Sequence, residues 1–96
     1  MFIATVGEAA ELAGARIAES LRSARLRVTV NFGGGNFKKQ LKRADASGAR
    51  YAVIVGEDEL GRGEASVKDL RSDTPQRSLP FSQLPSGLAG AAAANH

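Results

Sequence analysis

The stretch LRVTVNFGGGNFKKQLKRADASGARYAVIVG, from Leu26 to Gly56, decides the fold. Leu26, Val28, Val30 and Phe32 alternate with Arg27, Thr29 and Asn31, the period of a strand with one buried and one wet face. Gly33-Gly34-Gly35 ends that strand, and Asn36 is a good N-cap, since its side chain can accept from a first-turn amide. Phe37, Leu41 and Ala44 then make an apolar helical stripe. At 100° per residue, Lys38, Lys39, Lys42 and Arg43 fill an arc of about 140° on the other side. Gly48 after Ser47 is a helix stop. Tyr51 to Val55 is an unbroken apolar run ended by Gly56, as expected of a strand covered on both faces.

Working outward, Phe2 to Val6 reads as another short strand. From Gly7 the pattern turns helical: Ala10, Ala13, Ile17, Leu21 and Ala24 recur every three or four residues. Glu8 and Glu11 sit in the first turn, where the helix dipole favours anions. Beyond Gly56, the run from Glu57 to Gly63 reads as an acidic turn. Ala65 and Val67 alternate with Ser66 and Lys68 in a further strand toward Leu70, expected to return antiparallel. Ser72 to Pro75 reads as a turn. Leu79, Phe81 and Leu84 can dock on a core, but Pro80, Pro85, Gly87 and Gly90 forbid a long helix. A domain over residues 1–84 is expected, with 85–96, which contains the run Ala91 to Ala94, as a flexible tail. The order strand–helix–strand–helix–strand implies right-handed crossovers and a small, mainly parallel α/β sheet.

Composition sets bounds on chemistry. The chain has 96 residues and is 43% hydrophobic, but 17 of those residues are alanine. Val, Ile, Leu and Phe supply 22 residues, enough for one modest core. There is no cysteine, hence no disulfide, thiolate metal site or cysteine nucleophile. The single histidine is His96, so Ser20, Ser47 and Ser66 have no imidazole base within the fold and a hydrolase triad is excluded. No run approaches the roughly 20 apolar residues of a membrane span and no signal peptide opens the chain, so a cytoplasmic protein without membrane contact is expected.

The net charge of +3 is unevenly spread. Residues 22–50 carry eight cations against Asp45 alone, while the segments on either side are each net negative. Such a block points to a polyanion such as nucleic acid, or is a solvated face that binds nothing. The Gly33–Asn36 turn at a helix N-terminus is a generic anion cradle, though three glycines can also merely make a tight turn. It matches neither G-x-x-x-x-G-K-[ST] nor G-x-G-x-x-G, whose last position here is Lys38. An RNA backbone or exposed base could use the glycine amides, Asn36, Lys38, Lys39 and Lys42 together. Glu57, Asp58 and Glu59 are a solvated acidic turn before they are a catalytic or metal site. Phe37 reads as core more than as a base-stacking platform.

GGGNFKKQLKRADASGARYAVIVGEDEL (Gly33–Leu60) followed by VKDLRS (Val67–Ser72) resembles the C-terminal anticodon-binding domain of bacterial histidyl-tRNA synthetases, of the class II aminoacyl-tRNA synthetase family. The resemblance covers roughly residues 4–79 and implies a mixed sheet of about five strands flanked by helices. It implies contact with the anticodon stem-loop of histidine tRNA and a share in reading its GUG anticodon. By resemblance, Gly34, Gly35, Asn36, Glu59 and Lys68 are the anticodon-binding positions, and Lys38, Lys39, Lys42 and Arg71 serve phosphates. The residue types suit those roles: an amide offers donor and acceptor to a base edge, and a carboxylate accepts from guanine donors.

The class II catalytic motifs are absent. The chain is therefore expected to be a non-catalytic, monomeric fragment without cofactors of its own. ATP, Mg2+ and the parent's homodimer contacts would belong to the catalytic domain. The alternative is a synthetase-derived stand-alone domain that binds protein or other RNA.

Overall fold

The computed structural model describes residues 1–31, 36–71, 76–85 and 87–88. Strands β1 (Phe2–Thr5), β2 (Thr29–Val30), β3 (Tyr51–Val55), β4 (Glu64–Asp69) and β5 (Arg77–Pro80) form one sheet in the order β2-β1-β3-β4-β5. β1 pairs parallel with β2 and β3, β3 with β4 antiparallel, and β4 with β5 antiparallel. Only β4 therefore runs against the rest. Helices α1 (Glu8–Ser23), α2 (Phe37–Ala46) and α3 (Glu57–Arg62) follow β1, β2 and β3.

The pleat sorts side chains between two cores. Ile3, Val53, Val55, Ala65 and Val67 face α1, where Ala10, Ile17, Ala18 and Leu21 meet them. Phe2, Ala4 and Ala52 face the other way and meet Ala44, Phe37 and Leu41 of α2. The sheet thus lies between two helical layers, and β1 and β3 are buried along their whole length, as the unbroken Tyr51–Val55 run requires. α1 approaches β1 so closely that a Cβ on Gly14 would stand 2.8 Å from Thr5 Cγ2 and 3.3 Å from Ile3 Cγ2. Glycine is the residue that lets this helix seat.

Two local readings change, and two features lie beyond what local periodicity marks. The alternating run from Leu26 pairs only at Thr29 and Val30, although Leu26, Val28 and Val30 still pack on the core; Phe32 lies outside the described residues. The Glu57–Gly63 acidic turn is a short helix, with three acids at its positive end and Gly63 closing it at φ 66. Arg77–Pro80 is a fifth strand that periodicity alone does not mark, and its proline sits at the sheet edge, where a missing N–H is tolerated. The packed unit also runs past residue 84: after the 3-10 turn Phe81–Gln83, both Leu84 and Leu88 are fully buried in the α1-side core. The expected turn at 72–75 and the alanine run at 91–94 lie outside the described residues.

Candidate nucleic-acid interface

α2 begins as its residues dictate. Asn36 is extended, and its Oδ1 accepts from the Lys39 N–H at 2.9 Å. The cap engages the amide oxygen and leaves the side-chain NH2 to donate outward. One turn further, helical geometry splits the expected cation arc into two rows. Lys38 and Lys42 face β4, and with Leu41, Asp45, Lys68, Asp69 and Leu70 they line an open groove of about 470 Å³. Lys39 and Arg43 lie off that groove, and the Arg43 guanidinium donates to Asn31 Oδ1 at 3.0 Å beside β2.

The two carboxylates of the groove are engaged by arginines. Asp45 Oδ1 is 3.3 Å from Arg71 Nη1, and Arg71 Nη2 also reaches the Asp45 carbonyl at 3.4 Å. Asp69 is 3.3 Å from Arg50, accepts from the Arg71 N–H at 2.9 Å, and lies beside an Arg50 guanidinium poised 5.4 Å from the Tyr51 ring centroid. Arg71 thus has a second task besides the expected phosphate contact: it ties β4's end to the C-terminal turn of α2. Among the described residues Lys38, Lys42 and Lys68 make no ion pair, so their charge is presented to solvent.

The Glu59 carboxylate is held within its own turn. Oε1 accepts from the Gly56 N–H at 2.9 Å and Oε2 pairs with Arg62 at 3.2 Å. Phe37 closes on the same spot, because a Cβ on Gly56 would lie 3.2 Å from the Phe37 ring and 3.0 Å from Glu59 Oε1. The start of α2 and the start of α3 are therefore neighbours, and Asn36 and Glu59 belong to one corner. Phe37 is half-buried against the α2-side core, which agrees with its reading as packing. Lys68 stands apart: it pairs with Ala52, four residues short of Gly56, or about 13 Å at 3.3 Å per residue. Asn36 and Glu59 mark one end of the surface, Lys68 the other, and the Lys38–Lys42 row spans between them. Gly34 and Gly35 lie outside the described residues.

Gln40 is the residue that sequence reading missed. It is fully buried, and both ends of its amide hydrogen-bond the backbone of Thr5. The signal was its helical spacing, since it sits four residues before buried Ala44 and on the sheet side. A different hollow of about 570 Å³, lined by Leu12, Ile17, Leu60, Phe81 and others, lies on the α1 side, away from the lysines. Among the described residues no cluster of His, Asp or Glu could hold a metal ion, and no helix is long and apolar enough to cross a membrane.

Known proteins resemble the chain in sequence and in fold. The chain is 46% identical over 83 residues to a histidine–tRNA ligase of Methylobacillus flagellatus, covering 86% of this chain and 20% of that relative. It is 47% identical over 93 residues to the one of Nitrosomonas europaea, covering 97% and 20%. The chain therefore spans about one fifth of the length of these relatives. The solved histidyl-tRNA synthetase of Nostoc superposes with a TM-score of 0.84 at 27% identity, over 94% of this chain and 22% of that one. The RNA binding domain of threonyl-tRNA synthetase from Cryptosporidium parvum reaches the same TM-score at 14% identity, over 95% and 22%, a likeness of fold alone. A family model described as "Anticodon binding domain" matches residues 1–90, and this chain belongs to that family.

Proposed function

We propose that this chain is the tRNA-gripping domain of a histidine–tRNA ligase, binding the anticodon stem-loop of histidine tRNA. The groove between α2 and β4 carries the proposal: Lys38, Lys42 and Lys68 are free of ion pairs among the described residues, while its two carboxylates are engaged by arginines. A chain of phosphates laid along it would meet positive charge throughout. Lys39, on the neighbouring row, and Arg71, at the groove's end, would add phosphate contacts that position the loop without reading it. At the far corner, the outward NH2 of Asn36 and the remaining lone pairs of Glu59 would meet base edges; Gly34 and Gly35, outside the described residues, keep the anticodon-binding role that the resemblance implies. Lys68 would contact a base at the opposite end.

Joining histidine to tRNA, with its ATP and Mg2+, would then fall to the four fifths of the relatives that this chain does not span, as would dimer contacts. The fragment itself would act as a cytoplasmic, monomeric and non-catalytic RNA binder. Fluorescence anisotropy with a GUG stem-loop and an altered-anticodon loop, at low and physiological salt, tests this. Tighter binding to GUG that persists as salt rises is expected. Equal, salt-labile binding would leave only electrostatic grip, and binding to neither loop would replace the reading with a reused protein-interaction domain.

A further inference from the structure

β2 leaves its neighbour early. The parallel register pairs Phe2 with Thr29 and Ile3 with Val30, and the Asn31 N–H donates to the Ile3 carbonyl at 3.1 Å. The next ladder groups on that edge of β1 are the N–H and C=O of Thr5, since the alternate residue, Val6, turns its N–H to the Val55 carbonyl. Thr5 is buried and its two groups need partners. Gln40 supplies both: the Thr5 N–H donates to Gln40 Oε1 at 2.9 Å, and Gln40 Nε2 donates to the Thr5 carbonyl at 2.8 Å. A helix side chain thus continues the ladder in place of a strand.

We infer that Gln40 is a positioning residue for RNA binding: its amide pins α2 to β1 and so fixes where Lys38 and Lys42 stand opposite Lys68. This inference rests on the proposed RNA contact. The geometry makes the pin selective. Gln40 lies two residues from each of these lysines, on the sheet side of the same turns, and two bonds to successive peptide groups of one residue, Thr5, constrain both the roll and the height of the helix. The apolar contacts of α2 with the sheet set Ala44 and half-buried Phe37 and Leu41 against Phe2, Ala4 and Ala52, so that among the described residues Phe2 is the one large buried side chain of this cluster and the layer interlocks little.

The test is Gln40→Met, close in volume, with similar helix propensity and unable to pair with Thr5. Stem-loop affinity is measured from low to physiological salt, with the folded fraction followed by circular dichroism. A displaced α2 takes two lysines out of register, so affinity should fall at least tenfold. The slope of log K against log salt should also drop by about 1.4, twice the roughly 0.7 per phosphate of single-strand contacts. A merely structural role predicts an unchanged slope and a loss equal to the unfolded fraction, and that result overturns the inference.

Amide exchange on the wild type keeps the idea testable even where the variant does not fold. The Thr5 amide should exchange as slowly as the amides of β3, and exchange at the rate of an exposed amide refutes the pin. Where the wild type binds neither loop, the RNA reading fails by itself, and exchange decides Gln40. Amides 40–46 no faster in Gln40→Met than in the wild type also overturn it.

Discussion

Replacing Glu59 in two ways separates its structural and recognition duties. Glu59→Ala removes the acceptor for the buried Gly56 N–H and the pair with Arg62. An unpaired buried amide costs about 1–2 kcal/mol, and the pair with a half-exposed arginine adds about 0.3–0.5 kcal/mol. For a domain of this size, a loss near 2 kcal/mol lowers Tm by roughly 8–16 °C. Glu59→Gln keeps Oε1 for Gly56 and should cost under about 1 kcal/mol. It nevertheless turns an NH2 outward where a carboxylate oxygen stood, placing donor against donor at a guanine edge.

The expected pattern is therefore asymmetric. Glu59→Ala loses both stability and anticodon discrimination, whereas Glu59→Gln stays within a few degrees of the wild type yet loses roughly 1–3 kcal/mol of discrimination. Thermal melts and paired anisotropy titrations on cognate and altered loops measure the two quantities. A glutamine variant that discriminates as well as the wild type would confine Glu59 to holding its turn. An alanine variant with unchanged Tm would refute the structural half of the argument.

Gly14→Ala should destabilise by about 1 kcal/mol in urea melts, because crowding against Thr5 and Ile3 outweighs the roughly 1 kcal/mol that alanine contributes in an open helix; pairing it with Thr5→Ser should recover part of the loss. Leu88→Ala should cost about 2–4 kcal/mol, and an unchanged urea midpoint would show that the chain beyond residue 84 adds nothing to the core. Lys39→Ala should weaken all stem-loops alike and flatten the salt slope by roughly one unit, while an unchanged slope removes it from the phosphate contacts.

Elements that follow from local rules were legible. Asn36 had to cap α2, the lysines had to ride outside it, and a five-residue apolar run between turns had to be a buried strand. What escaped depends on partners distant in sequence. The Glu57–Arg62 helix carries too few apolar residues to show a period; its helicity comes from acids at a positive end, a carboxylate bent back to Gly56, and a left-handed Gly63. Leu84 and Leu88 are four apart, but proline and glycine between and around them hide the spacing. Gln40 resembled one more polar residue in a cationic stretch; its spacing to Ala44 puts it on the sheet side, but its partner, the backbone of Thr5, is 35 residues away in sequence. Within the site, the cation block was readable as a block, but its division into a groove-facing and an outer row required the helix to be placed.

The two faces of the sheet are built differently, and this bears on how the RNA-facing side works. The α1 side is packed with large aliphatic residues: Ile3, Ile17, Leu21, Val53, Val55, Leu84 and Leu88. Burial there, at about 25 cal/mol per Å² of apolar surface, supplies most of what holds the chain together. The α2 side has Phe2 and three alanines as its buried members. Such a thin layer lets the helix lie close to the sheet but fixes its position weakly, because small side chains interlock little. Directional bonds compensate at each end of the helix: Gln40 to Thr5 near its start, and Arg71 to Asp45 at its finish. The exposed Arg71–Asp45 pair contributes modestly to stability, whereas Gln40 also satisfies two buried backbone groups; together they set where Lys38 and Lys42 stand. Changes at the α1 core should therefore alter Tm with the salt slope intact, while Gln40→Met, which leaves both buried Thr5 groups unpaired, should lower Tm and the salt slope together.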